Sequence, residues 1–183
     1  MDTGAFDRLV TPDLVLRKAR ADDTRSIWEN VWSDGELARN MLWQPTAWDG
    51  APGRMDRTIA LQREYPAYFV CLRETDEPIG FCGIRETEEG VFEETGLCIA
   101  RKCQKRGYGT QMLRALVSLA FDGLGGHRFV YECFRENGAS AALCRKCGFV
   151  YSHSERGVRE WDGHAYLCDV YVLDRGGAEE DAL

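Results

Sequence analysis

No apolar run in this sequence approaches the roughly 18 residues that a membrane-crossing helix needs. The opening residues, MDTGAFDRLVTPD, carry acids and no apolar core, so they do not read as a secretory signal. Basic charge is in deficit: 23 Lys and Arg stand against 30 Asp and Glu, for a net charge of −7. A general nucleic-acid binder presents a basic face, so neither nucleic acid nor a membrane is an expected partner. The chain also lacks the Gly-Lys-Ser/Thr of a P-loop. Its one Gly-rich loop has Met112 where a dinucleotide fingerprint needs a third glycine.

Cysteine, in contrast, is plentiful, with 8 residues. With no secretory signal the expected compartment is the cytoplasm and the thiols are expected to be reduced. Cys71, Cys82, Cys98, Cys133 and Cys168 lie in strand-like runs and read as small buried hydrophobes. Cys144-x-x-Cys147, with His153 and His164 downstream, has the short spacing of a zinc pair. A structural Cys₂His₂ site spaces its histidines more closely, and a redox Cys-x-x-Cys opens a helix rather than lying inside one. No metal is therefore expected.

The length, 183 residues, suits about one domain on a prior of roughly 150 residues per domain. The expected domain spans 1–175. The tail 176–183, Gly-Gly-Ala-Glu-Glu-Asp-Ala-Leu, is acidic and polar and is expected to be disordered.

Periodicity predicts strands over 14–19, 68–73, 78–85, 91–99, 128–134, 150–156 and 165–173. A helix capped by Asp22 or Asp23 is expected through Val31, a second over 52–64, and a long one over 107–124 with an apolar stripe from Leu113 to Leu124. Asn137 is placed to cap a short helix that Gly148 stops. The fold class is α/β: a single-domain sandwich with a mixed central sheet of about six to seven strands and helices on both faces.

The informative stretch runs from Cys98 through Arg101-Lys102-Cys103-Gln104-Lys105-Arg106-Gly107-Tyr108-Gly109-Thr110. A strand enters a basic loop, and the loop opens a helix. The first four amides of such a helix lack partners, the dipole adds positive potential, and glycine lets an anion come close; the pattern suits a pyrophosphate. Gln104-x-x-Gly107-x-Gly109 resembles the acyl-CoA signature of the GNAT superfamily of N-acetyltransferases. Asn137-x-x-Ser140-x-x-Leu143 followed by Gly148-Phe149 is similar to a second motif of that superfamily. Glu94-Thr-Gly96-Leu-Cys-Ile99 resembles the branch of ribosomal-protein N-terminal acetyltransferases, with Leu97 in place of a tyrosine.

The resemblance implies a GNAT-like fold and direct transfer of an acetyl group from acetyl-CoA to a primary amine, a small molecule or a protein N-terminus. It implies a cosubstrate site at Ile99, Gln104, Lys105, Arg106, Gly107, Tyr108, Gly109, Thr110, Asn137 and Ser140, with the Ile99 amide near the oxyanion. Lys102 is a further candidate for the phosphates. The general base is Glu93, by its spacing from Gln104, or Glu94, by its register with Gly96 and Ile99; adjacent strand residues face opposite sides. The position that in relatives holds a tyrosine acid is Cys144. Met41, Trp43 and Trp48 are candidates for the acceptor cleft, and the acids before Glu94 point to a cationic acceptor. The resemblance leaves room for a homodimer. A different class remains open: an acyl-CoA-binding or sensory module of the same fold without catalysis.

Overall fold

The computed structural model describes residues 6–176; apart from Gly176, the expected tail lies outside the described residues. The strands are β1 Arg8–Val10, β2 Leu14–Arg17, β3 Ala67–Leu72, β4 Pro78–Glu88, β5 Val91–Glu94, β6 Cys98–Ile99, β7 Arg128–Phe134, β8 Val150–Val158 and β9 Ala165–Asp174. Among the described residues they form one mixed sheet in the order β1-β2-β3-β4-β5-β7-β9-β8, with β6 paired to β4 beside that path. Only β5 and β7 run parallel.

The α/β class stands, with nine strands rather than six to seven. Two differences account for this. The short β1 was not expected, and the predicted strand over 91–99 is two strands. Between the pairs Ile84–Glu94 and Phe81–Cys98, three steps along β4 face four along the partner. One extra residue is therefore inserted, which is a β-bulge. Gly96 takes it up at φ +113°, in the left-handed region open to glycine. β5 stays wedged between β4 and β7. Beyond the bulge β6 follows β4 alone, so β6 and β7 part. Gly80 makes the close approach feasible: a Cβ there would lie 2.0 Å from the Cys98 carbonyl oxygen.

The helices are α1 Thr24–Ile27, continued by a wider turn to Trp32, α2 Gly35–Ala38, α3 Ala51–Glu64, α4 Tyr108–Ser118, continued to Gly123, and α5 Gly138–Lys146. α1 and α3 pack on the β3–β4 part of the sheet, α4 on β2, β4 and β6, and α5 on β7. β3 is buried from Ala67 to Cys71, as a strand covered on both faces must be. Leu113, Leu116 and Ala120, from the expected stripe, are in the core.

Asp23, expected to act as a helix cap, gives most of its carboxylate to Arg17. The guanidinium of Arg17, 5% exposed, donates to Asp23 at 2.7 and 2.8 Å and to Asp76 at 2.7 Å. These bonds hold the β3–β4 turn against the end of β2, and Arg17 keeps the Asp76 carboxyl below its usual range. Removing one partner of a buried pair leaves the other uncompensated. Arg17→Met is expected to cost about 3–5 kcal/mol, read by urea unfolding; a loss under about 1 kcal/mol would assign the cluster to the surface class instead.

Candidate active site

The loop after β6 is shaped by two left-handed residues, Lys105 at φ +62° and Gly107 at φ +81°. Gln104 Nε2 donates to the Ile99 carbonyl at 3.0 Å, which ties the loop to the end of β6. Gln104 thus positions the loop rather than offering its amide freely. α4 starts at Tyr108, so its first amides have no partner inside the helix. The Ala100 amide donates to Ile79 on β4 at 2.7 Å. Amides alternate in direction along a strand, so that of Ile99 faces the opposite edge, where β7 has parted from β6.

A cavity of about 660 Å³ lies there, between β6, α4 and α5. Its wall takes in Ile99, Gln104, Lys105, Gly107, Tyr108, Gly109, Thr110, Asn137 and Ser140. Of the expected cosubstrate residues only Arg106 is not part of the wall. Lys102 is spent on Glu77 at 3.0 Å. The fit at Gly109 is close: a Cβ would sit 3.2 Å from Leu143 Cδ2. Asn137 caps α5, its Oδ1 accepting from the Ser140 amide at 3.2 Å. Free helix amides, the lysines 105 and 146 on the wall and an apolar side at Leu97, Met112 and Leu143 suit a chain of phosphates joined to a less polar arm.

Sequence reasoning missed Tyr131 and Arg159. Tyr131 lines the cavity, and its hydroxyl lies 2.7 Å from Ser140 Oγ. Burial and the nearby Glu94 charge push its pKa up, so it keeps its proton. The spacing to Ser140 gives no local signal, because β7 and α5 meet only through the fold. Arg159 follows β8, is 6% exposed, and donates to the carbonyls of Ala38, Arg39 and Met41 at 2.9–3.2 Å. It also pairs with Asp162 at 2.5 Å. Leu37, Asn40 and Met41 line the cavity, so Arg159 pins that part of the wall. Arg159→Met is expected to weaken acetyl-CoA binding about tenfold, ~1.4 kcal/mol, by titration calorimetry. Unchanged affinity would show that the segment holds its place without this arginine.

The two candidate bases separate as alternation requires. Glu93 pairs with Arg85 at 3.5 Å. Glu94 turns to the other side, opposite Ile84, and its Oε2 accepts from the Gly96 amide. Burial pushes the Glu94 carboxyl up to about 8; the Gly96 bond opposes this, and the charges of Glu132 and Glu93 add to it. Cys144 is fully buried, its thiol 3.3 Å from the Ala141 carbonyl. Burial pushes its pKa up to about 12, and it is not part of the cavity wall. Among the described residues no three His, Cys, Asp or Glu side chains converge as a metal site would require.

A second cavity, about 720 Å³, lies across the strand break and reaches Thr95 and Gly96. Of the acceptor-cleft candidates Trp43 lines it, Trp48 packs outside it on Trp28, and Met41 belongs to the first cavity. The acids expected to draw a cation, Glu86, Glu88 and Glu89, belong to the far end of β4 and the turn after it and line neither cavity. The charged residues on this wall are Arg54 and Arg57.

A family model for the acetyltransferase (GNAT) domain matches residues 13–150. The chain belongs to the GNAT family. As a GNAT protein it is an acyl-CoA-dependent acetyltransferase, with acetyl-CoA as cosubstrate. It is 26% identical over 173 residues to Uncharacterized N-acetyltransferase p20 of Bacillus licheniformis, covering 92% of this chain and 95% of that protein. A GNAT-family acetyltransferase of Bacillus anthracis has the same fold, with a TM-score of 0.80 at 16% identity, covering 91% of this chain and 98% of the other. So does RimL, the ribosomal L7/L12 alpha-N-protein acetyltransferase solved with coenzyme A. Its TM-score is 0.75 at 22% identity, covering 91% of this chain and 96% of that one. Of these, RimL fits the resemblance to ribosomal-protein acetyltransferases.

Proposed function

We propose that this GNAT protein moves the acetyl group from acetyl-CoA directly to a primary amine held in the second cavity, with Glu94 as general base. One observation supports the reading: neighbouring residues of one short segment line the two cavities, and Glu94, on neither wall itself, directly precedes that segment with its Oε2 on the Gly96 amide. Thr95 and Gly96 line one cavity and Leu97, Cys98 and Ile99 the other.

The cosubstrate supplies an activated acyl carbon. The loop amides from Lys105 to Thr110 hold the phosphates, and Asn137 and Ser140 flank the arm. Glu94 accepts a proton from the acceptor ammonium, directly or through one water. The freed amine forms the new C–N bond, and charge grows on the carbonyl oxygen. The Ile99 amide stabilises that charge. As the C–S bond breaks, the nitrogen gives up its remaining extra proton and the thiolate, hydrogen-bonded by the Tyr131–Ser140 hydroxyl pair, takes one up and leaves as the CoA thiol; the proton on Glu94 passes to solvent. This pair replaces Cys144, whose thiol is turned into the core.

The test is a thiol-release assay over a panel of amines, run beside calorimetry with acetyl-CoA. Acetyl-CoA-dependent thiol release with at least one amine is the expected result. Tight binding of acetyl-CoA without turnover on any amine would favour the sensory module.

A further inference from the structure

We propose that the acceptor amine also carries a carboxylate, bound by Arg54 and Arg57 in the second cavity. This rests on the reading of that cavity as the acceptor side and names the acceptor's chemical class.

The Arg54 guanidinium lies between two indole rings, 4.7 Å from the centroids of both Trp32 and Trp43. Its Nη1 donates to Thr46 Oγ1 at 2.7 Å and to the Gln44 carbonyl at 3.4 Å. A guanidinium has five donors, so the Nε and Nη2 hydrogens are uncommitted. Among the described residues neither Arg54 nor Arg57 has a carboxylate within ion-pair distance. Arg54 is half-buried and Arg57 exposed, whereas the two buried arginines, Arg17 and Arg159, are both paired.

A second, independent group points the same way. Trp43 Nε1 is buried and has no acceptor. Buried donors without partners are rare, and each asks for an explanation. The ring stacks on the Arg54 guanidinium, and a shift of it toward the cavity would bring Nε1 to an acceptor oxygen held by Arg54. Burial and the neighbouring Arg57 charge already bring the Arg54 pKa down to about 10, which is the strain an incoming anion relieves.

The placement also suits an amino acid. The cavity runs from Arg54 and Arg57 to the strand break at Thr95 and Gly96, just past Glu94 in the chain, so the two ends of an amino acid would face different groups. Phe69 and Phe81 supply apolar wall between them for a side chain. A carboxylate matches the planar fork of arginine in a bidentate pair. A polyamine would instead bring positive charge against two unpaired guanidiniums.

Acetylated products test this without turnover. N-acetyl derivatives of glycine, phenylalanine and glutamate, each as the free acid and as the α-amide, are titrated into the protein with coenzyme A present. At least one acid is expected to bind tenfold or more tightly than its amide. Arg54→Gln and Arg57→Gln should each reduce that preference, and Arg54→Lys should retain part of it. Unchanged acetyl-CoA affinity in the variants confirms that they are folded. Equal binding of acids and amides in the wild type, or a preference that survives the double glutamine variant, would overturn the proposal. Displacement by inorganic phosphate but not by acetate would also overturn it, since the site would then read phosphate. Because these probes carry no free amine, their outcome is separate from that of the amine panel.

Discussion

Glutamate in place of Gly107 is expected to abolish measurable acetyl-CoA binding while the protein stays folded. Gly107 sits at φ +81°, directly before α4, and a Cβ there meets nothing within 4 Å. The substitution therefore makes no clash inside the protein. Its backbone cost is that of an ordinary residue in the left-handed region, about 1–2 kcal/mol. The functional cost is larger, because a carboxylate would lie where the helix amides and dipole favour an anion. The expected change in Kd is at least about 100-fold, ~2.8 kcal/mol, by calorimetry. Gly107→Asn, which tolerates this backbone, is the control and should keep most of the affinity. Gly109 is a less clean position, since a Cβ there already presses on Leu143 at 3.2 Å. Wild-type affinity in folded Gly107→Glu would remove the cosubstrate from this loop.

Glu94→Gln is expected to lower kcat by about 10²–10⁴, the usual contribution of a general base, while acetyl-CoA affinity holds. The amide oxygen of glutamine can still accept from the Gly96 amide, so the bulge keeps its support. The pH dependence gives the stronger check. With its pKa pushed up to about 8, Glu94 is mostly protonated at neutral pH, and the ionised base gains population as pH rises through that value. Activity of the wild type should therefore climb to a plateau above pH ~8, and the variant should lose this limb.

The same shift has a stability consequence of definite sign. A carboxyl whose folded pKa lies above its ordinary 4.5 binds its proton more tightly folded than unfolded, so stability falls as pH rises from 4.5 toward 8. Glu94→Gln should raise Tm at pH 9 and leave it nearly unchanged at pH 4. A near-wild-type rate in Glu94→Gln, with the high-pH limb intact, would exclude this carboxylate as the base; Glu93→Gln is the companion measurement.

Local chemistry made much of the candidate cosubstrate site legible. Gly107, Gly109 and Asn137 act through their own backbone or through the first turn of their own helix, so their spacing carries their role. Strand alternation likewise separated Glu93 from Glu94 before either was placed. It could not say which of them would have its charged form disfavoured by its surroundings, because that depends on what packs from outside the strand. Cys144 shows the opposite limit: motif spacing marked it for chemistry, and helix rotation against β7 turned its thiol to the core.

By itself the sequence determined the α/β class, most of the order of elements and the left-handed glycine before α4, since each follows from periodicity, caps and glycines within a few residues. Only the tertiary structure decided the rest. The bulge that splits β5 from β6 depends on Gly80 letting the Cys98 carbonyl approach β4. Tyr131 meets Ser140, and Arg159 reaches Ala38, across helix and strand boundaries. The acceptor side changed most: the acids adjacent in sequence to Glu94 line neither cavity, and Arg54, forty residues upstream, takes their place on the wall. Proximity in sequence sets charge clusters along a chain, but the sheet and its helices choose which charges face one space.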